Sequence, residues 1–224
     1  MMRPFADIEK LAAGHKGGKA ALDALLDKTM PGQADIGKIS DDRLLALFCQ
    51  HVFSTGLNWK VIENKWPGFE TVFHGFNPNM LAMLPDEAYE AMLSDTRIVR
   101  HGAKIMSVRD NAIWFVELAR EHGSASMFFA NWPPSDQIGL LELMKKKGSR
   151  LGGNIGAYSL RHAGKDGFIL SRDVCAALVR EGVVDKAPTS KRDMAAVQHA
   201  FNNWHNETGR PYTQLSRILA MSMG

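Results

Sequence analysis

The sequence has little of what marks secreted, disulfide-bonded or membrane proteins. It contains two cysteines, Cys49 and Cys175, which is too few for a disulfide framework. No apolar run is long enough to cross a bilayer. The N-terminal stretch also lacks the apolar core of a signal peptide. We therefore expect a cytoplasmic protein with no membrane partner.

Signals for β-structure are also scarce. Few segments alternate apolar and polar residues with a period of two, and β-branched residues are sparse. These features predict an all-α fold. One or two short helices are expected within residues 1–40, Asn58 is predicted to cap a short helix, and Pro67-Gly68 is predicted to stop it. Further helices are predicted over residues 103–120, 136–147, from about 153 to 163, 170–181, 190–207 and 211–221.

The net charge of the whole chain says little about function, but the distribution of charge in one segment is more informative. A net charge of +3 permits nucleic-acid binding without arguing for it. Residues 143–165, however, contain six basic residues and no acidic ones. Within a predicted hairpin at about 136–163, one helix ends in Lys145, Lys146 and Lys147, and the chain then turns through a glycine-rich loop.

This hairpin has the chemistry of a phosphate site. Glycines at 148, 152 and 153 let backbone N–H groups approach a ligand closely, and the N-terminus of the second helix favours an anion. Lys147 and Arg150 would add positive charge, and a DNA phosphate is the natural anion. The alternative is structural, because Gly after a helix is a common C-terminal stop and lysines in a last turn are commonly solvated.

Residues 44–112 carry the elements of a known family. They contain Gly56-Leu57-Asn58-Trp59, Phe69-x3-Phe73-His74-x-Phe76-Asn77-Pro78, Ile98-Val99-Arg100-His101, Lys104-Ile105 and Asn111-Ala112. A second block runs from Lys145 through Gly148 and Gly153 to Tyr158-Ser159. In order and spacing these blocks resemble the 3-methyladenine DNA glycosylase I family of helix-hairpin-helix glycosylases.

The resemblance implies a two-lobed helical fold with an interlobe cleft, formed by residues 1–224 as a single domain. Such enzymes flip an alkylated purine out of duplex DNA and hydrolyse its N-glycosidic bond. By resemblance, Trp59 would stack on the base, and Tyr158 and Ser159 would line the same pocket. The hairpin residues Lys147, Gly148, Arg150, Gly152 and Gly153 would bind the DNA phosphates. A monomer acting on damaged double-stranded DNA, without a cofactor, is expected.

The chain departs from the family in its pocket and at its ends. His51 stands eight residues before Trp59, where the family has a glutamate, so recognition of 3-methyladenine itself is in question. A buried, hydrogen-bonded structural histidine is the alternative interpretation of His51, and a core tryptophan is the alternative for Trp59. The family's zinc ligands are unmatched, and we expect no structural zinc.

Asp173 is the one carboxylate near the place where the wider superfamily carries a catalytic aspartate. Alignment puts Ser171 at the nearest match. Asp173 could stabilise the developing sugar cation, or it could simply be an acidic residue in the first turn of a helix. The C-terminal helices at about 190–221 most simply cover the core.

Three hypotheses follow from the sequence. The first is a glycosylase that acts on alkylated purines. The second is a non-catalytic DNA-binding relative that lost the pocket glutamate. The third is a helical interaction module with no role on DNA.

Overall fold

The computed structural model describes residues 3–27 and 35–224, and within them the chain forms thirteen α-helices and no strand. The all-α prediction is confirmed. Three short 3-10 turns join the helices, at Ile36–Lys38, His74–Phe76 and Pro134–Asp136. The helices are α1 Phe5–His15, α2 Lys19–Asp27, α3 Asp41–Ser54, α4 Trp59–Val72, α5 Pro78–Met83, α6 Asp86–Met92, α7 Gly102–His122, α8 Ala125–Asn131, α9 Gln137–Lys147, α10 Asn154–His162, α11 Arg172–Arg180, α12 Lys191–Thr208 and α13 Tyr212–Met221.

The described residues fall into two compact units that the chain enters more than once. The first unit contains the described part of Met1–Gln33 together with Trp132–Leu140 and Asp166–Gly224. The second contains the described part of Ala34–Asn131 together with Leu141–Lys165. None of the helices in the described residues has the length and apolar character needed to cross a membrane.

Aromatic residues build the core of the first unit. Phe168 stacks on Phe201 with ring centroids 4.1 Å apart, and Trp204 packs between Phe201 and Phe5. Phe5 lies on α1, so the N-terminal helix shares a core with α12 and α13. The two C-terminal helices cover the core, as the sequence predicted.

The second unit is organised around α7, against which α3, α5 and α8 pack. Phe48, Phe115 and Phe129 meet there with ring centroids 5.4–6.0 Å apart. Asp41 begins α3, and its two carboxylate oxygens each accept a hydrogen bond of 2.9 Å, from the N–H groups of Ala125 and Ser126. This carboxylate therefore caps α8 and ties it to α3.

The prediction that Pro67-Gly68 ends a helix is wrong. Helix α4 continues through Pro67 to Val72, although proline cannot donate the backbone hydrogen bond to Glu63. Stacking of the Trp66 ring on Phe69, at 5.4 Å, holds the helix together across this point. Gly68 serves close packing, because a Cβ there would lie 2.5 Å from the Arg97 carbonyl oxygen.

The predicted helix ends agree with the structure to within a few residues at α7, α9, α11, α12 and α13. Asn58 caps α4 as predicted, and its side chain accepts a 2.9 Å hydrogen bond from the Lys60 N–H. The short helices expected within residues 1–40 are α1 and α2, while residues 28–34 lie outside the described part of the chain.

Candidate functional site

The turn between α9 and α10 is held tightly by its own side chains and backbone. A Cβ at Gly148 would lie 2.6 Å from Leu151 Cδ1 and 2.8 Å from the Met144 carbonyl oxygen, so this position requires glycine. Gly153 has φ +60° and is the N-cap of α10. Arg150 also has a positive φ, +61°, which is unusual for a residue with a side chain. The turn is therefore a defined structure rather than a loose connection.

Asn111 of α7 anchors this turn to the rest of the second unit. Its side-chain amide accepts a 2.8 Å hydrogen bond from the Ser149 N–H and donates one of 3.0 Å to the Ser149 carbonyl. Asn111 is fully buried, whereas Arg150 and Gly153 remain exposed. The outer edge of the turn is thus open to solvent while its inner edge is fixed.

Positive charge surrounds the open edge. Lys145, Lys146 and Lys147 are exposed in the last turn of α9, and Gly152 lies against the Lys145 side chain, with its Cβ position 3.3 Å from Lys145 Cγ. Gly153 has no side chain with which to cap α10. Exposed backbone N–H groups beside several cations suit an anionic ligand.

Four ring side chains form a cluster in the same unit, contributed by α3, α4 and α10. The His51 ring lies 5.4 Å from the Trp59 ring and 4.7 Å from the His162 ring, measured between centroids. The Tyr158 ring lies 6.4 Å from that of His162. His51 is 9% exposed, whereas Trp59 and Tyr158 are 37% and 39% exposed. His51 is therefore the floor of a cluster whose outer rings reach solvent.

His51 is hydrogen-bonded to His162, with 2.8 Å between His51 Nε2 and His162 Nδ1. Burial, and secondly the nearby His162, lower the pKa of His51 to about 4. Burial and the neighbouring Arg161 also lower the pKa of His162. Both shifts favour the uncharged rings. His51 is buried and hydrogen-bonded, as its structural interpretation anticipated.

The indole of Trp59 is fixed from both sides. It packs on His51, and its Nε1–H donates a 2.8 Å hydrogen bond to Glu63 one helical turn later. The exposed part of the ring is left available for stacking. Trp59 is more exposed than a core tryptophan would be.

Tyr158 and Ser159 are adjacent on α10 and face different surroundings. Tyr158 joins the ring cluster, but Ser159 is fully buried, and its hydroxyl donates to the Ile155 carbonyl at 2.8 Å. The structure therefore brings Trp59, His51 and Tyr158 together and leaves Ser159 within its own helix. A 100° step per residue separates neighbouring helical side chains in this way.

Asp173 lies in the first unit, exposed in the first turn of α11. Ser171 is the N-cap of this helix, and its hydroxyl accepts a 3.3 Å hydrogen bond from the Val174 N–H. The carboxylate of Asp173 has the position of a helix-stabilising acid.

Two residues of this unit were not identified as functional candidates from the sequence, although Lys104 belongs to a recognised block and His162 follows one. His162 carries no sequence signal, since it ends a helix among basic residues. Lys104 is 4% exposed, and its ammonium donates to the Phe53 and Thr55 carbonyls at 3.0 and 2.7 Å. Burial, followed by the charge of Arg150, lowers the pKa of Lys104. Lys104 thereby fixes the end of α3 that leads to Trp59.

The two cysteines are unpaired, with Cys49 buried on α3 and Cys175 partly buried on α11. Across residues 3–27 and 35–224, no group of three or more His, Cys, Asp or Glu side chains is arranged to hold a metal ion.

Residues 36–139 match the family model described as Methyladenine glycosylase. Over 76 residues the chain is 28% identical to DNA-3-methyladenine glycosylase 1 of Escherichia coli K12, which is 34% of this chain and 41% of that protein. The chain thus matches less than half the length of this curated relative. The resemblance read from the sequence is confirmed.

Among the solved structures that match nearly the whole chain are two 8-oxoguanine glycosylases. An 8-oxoguanine glycosylase/lyase from Methanocaldococcus jannaschii, in complex with DNA containing 8-oxoguanine, has a TM-score of 0.54 at 15% identity, covering 95% of this chain and 94% of its own. The 8-oxoguanine DNA glycosylase of Thermotoga maritima has a TM-score of 0.52 at 14% identity, covering 95% of each chain. At these identities the likeness establishes the fold.

Proposed function

We propose that this chain, a divergent relative of the methyladenine glycosylases over residues 36–139, is a DNA glycosylase of base excision repair. It would take a damaged purine out of duplex DNA and hydrolyse the bond to its sugar. The observation that carries the proposal is the occurrence, in one compact unit, of a solvent-open ring cluster and a rigid basic hairpin.

Stacking on Trp59 supports base binding. The ring is 37% exposed, is held by His51 and Glu63, and so needs little ordering when a flat base arrives. Tyr158 adds a second partly exposed ring. Aromatic stacking on a base is worth about 1–3 kcal/mol.

Backbone contacts from the hairpin would hold the DNA phosphates. Gly152 and Gly153 allow close approach, and Lys147 and Arg150 add exposed positive charge to the same segment. Such contacts position a duplex without reading its sequence. The two hydrogen bonds from Asn111 keep the turn in one conformation before DNA binds.

In the proposed reaction, water adds to the sugar C1′, and the C1′–N bond breaks as the base leaves with the electron pair. Water loses one proton, and the departing base takes one up where it carries no positive charge. Asp173 is the proposed carboxylate that stabilises the oxocarbenium-like sugar. An alkylated purine related to 3-methyladenine is the proposed substrate class.

A non-catalytic DNA-binding relative is the second candidate. Two observations favour it: Ser171, rather than an acidic residue, caps α11, and Glu63, the carboxylate bonded within the ring cluster, is engaged by the Trp59 indole. This candidate would bind damaged DNA and release no base.

The test is base release from duplex DNA that carries methylated purines or an etheno-adduct of adenine, with the released bases resolved by chromatography. We expect release by the parent, loss with Trp59→Ala, partial retention with Trp59→Phe, and loss with Asp173→Asn. Binding without release would favour the second candidate. If the parent neither binds DNA nor releases base, the remaining hypothesis is a helical interaction module, which should tolerate charge reversal in the hairpin.

Charge reversal tests the hairpin separately. Lys147→Glu and Arg150→Glu should each weaken DNA binding and reduce the dependence of log K on log salt concentration by about one. Lys10→Glu, at an exposed site on α1, is the matched control and should change neither. Unchanged binding in both hairpin variants would remove the hairpin from the site.

A further inference from the structure

His162 is a functional candidate that nothing in the sequence marks. It ends α10 and reaches the buried His51, so that Nδ1 of one ring lies 2.8 Å from Nε2 of the other. At this distance one nitrogen donates and the other accepts, and a single hydrogen lies between them. The two imidazoles therefore act as a unit, which we call the histidine pair.

The histidine pair has little capacity for positive charge. Protonation of both rings would set two N–H groups against each other and break the hydrogen bond. Protonation of one ring would keep this bond but would place a charge on a pair whose inner ring, His51, is only 9% exposed. Burial of His51 also opposes its protonation, and Arg161 on α10 opposes that of His162. From the other packed elements, Lys104 binds carbonyls of α3, and Glu63 of α4 is bonded to the Trp59 indole. Burial and these contacts therefore favour the neutral pair.

The pair adjoins the surface on which a base would stack. Trp59 packs directly on His51, and Tyr158 approaches His162 from the same helix. A planar ligand lying against Trp59 would therefore lie close to the His51 ring, which packs on the same indole. The nearby Glu63 carboxylate is already bonded to the Trp59 indole. A cationic ligand would therefore lose water here with little opposite charge to replace it, while an uncharged ligand could still hydrogen-bond.

We propose that the histidine pair is the specificity determinant of this site and that it selects an uncharged damaged purine over a cationic one. The inference rests on the proposed base-binding function and narrows its substrate class. Within that class it favours alkylated purines whose adduct leaves the ring neutral. His162 sets the selection by holding His51 in its hydrogen-bonded, neutral form.

The experiment measures binding and release with three duplexes of one sequence. One carries a single 1,N6-ethenoadenine, which is uncharged; one carries a single cationic N7-methylguanine; the third is undamaged. A 2′-fluoro sugar at the lesion blocks cleavage in the binding arm. We expect the parent to bind the uncharged lesion about tenfold more tightly than the cationic one.

Substitutions test whether the preference for the uncharged lesion depends on the histidine pair. His51→Glu places a carboxylate on the floor and should reverse the preference, while His162→Ala should bring the ratio close to one. His122→Ala, at an exposed histidine at the end of α7, is the matched control and should keep the parent's ratio. Near-ultraviolet circular dichroism identifies variants that fail to fold. If the variants do not fold, the parent's ratio of affinities for the two lesions tests the inference alone.

The two proposals fail in different ways. A parent that releases base but treats both lesions alike, or prefers the cation, overturns the inference and leaves the glycosylase proposal in place. If the parent binds the uncharged lesion selectively but releases no base, the inference is supported and the proposed glycosylase activity is excluded. If no damaged duplex binds more tightly than the undamaged one, both are overturned.

Discussion

At the residue scale, the site depends on the environment of a single imidazole. His51 would titrate near neutrality in water, but burial on α3 and the contact with His162 favour its neutral form. The same side chain is therefore both a packing residue and the floor of the ring cluster. Its two interpretations from sequence, structural and functional, are compatible in the folded protein.

This environment predicts an acid-sensitive stability. The folded pKa of His51, about 4, is below the ordinary value of 6.5, so the unfolded chain binds a proton between these values and the folded chain does not. Stability is then lost as pH falls from about 6.5 towards 4. Between pH 7 and pH 5 the loss from this group is about 2 kcal/mol.

Urea unfolding of the parent and of His51→Gln at pH 7 and pH 5 checks this prediction. The variant should lose clearly less stability than the parent on acidification. An equal loss in both proteins would show that His51 is not the responsible group. His199→Gln, at an exposed site on α12, is the control and should behave like the parent.

At the element scale, α4 shows how packing overrides a local stop signal. Pro67 costs one backbone hydrogen bond inside the helix, yet the aromatic contacts of Trp66 with Phe69 and Phe76 continue on its far side. Gly68 meanwhile allows the backbone of Arg97 to approach. Pro67 therefore weakens α4 by one hydrogen bond, whereas Gly68 permits a close packing contact.

Substitution of each residue by alanine should therefore change the free energy of unfolding in opposite directions. Pro67→Ala should raise the free energy of unfolding by roughly 1–3 kcal/mol, because it restores a helical N–H. Gly68→Ala should lower it by about 1–3 kcal/mol, since the new Cβ meets the Arg97 carbonyl. Denaturant unfolding of the pair measures both, and a shift of the same sign in both variants would contradict this account.

At the scale of the whole molecule, the N-terminal helix is part of a core completed two hundred residues later. Phe5 is fully buried against Trp204, and its backbone N–H donates to Glu207 at 2.9 Å. The first unit therefore cannot complete its core until both ends of the chain are present.

Phe5→Ala should accordingly destabilise the protein by about 3–5 kcal/mol, as expected for an aromatic lost from a packed core. Leu25→Ala, at a 36% exposed position on α2, is the matched control and should cost less than about 1 kcal/mol. Thermal and urea unfolding measure the difference. A Phe5 variant as stable as the control would mean that α1 contributes little to the core.

Local pattern was enough to predict the basic hairpin and several of the helices, including α7, α9 and α11–α13. Apolar periodicity and capping residues act over one or two turns, so α7, α9 and the cap at Asn58 could be predicted from neighbouring residues. The glycines of the hairpin likewise carry their own conformational signal, as the positive φ of Gly153 shows. The family blocks added Trp59 and His51 as candidates.

The sequence by itself determined the helical class and marked the hairpin and Trp59 as candidates. Only the tertiary structure decided that His162 joins His51, that Ser159 stays within its helix, and that α4 passes through Pro67. The physical reason is range: helix signals are local, whereas a hydrogen bond between residues 111 positions apart depends on how α3 and α10 pack.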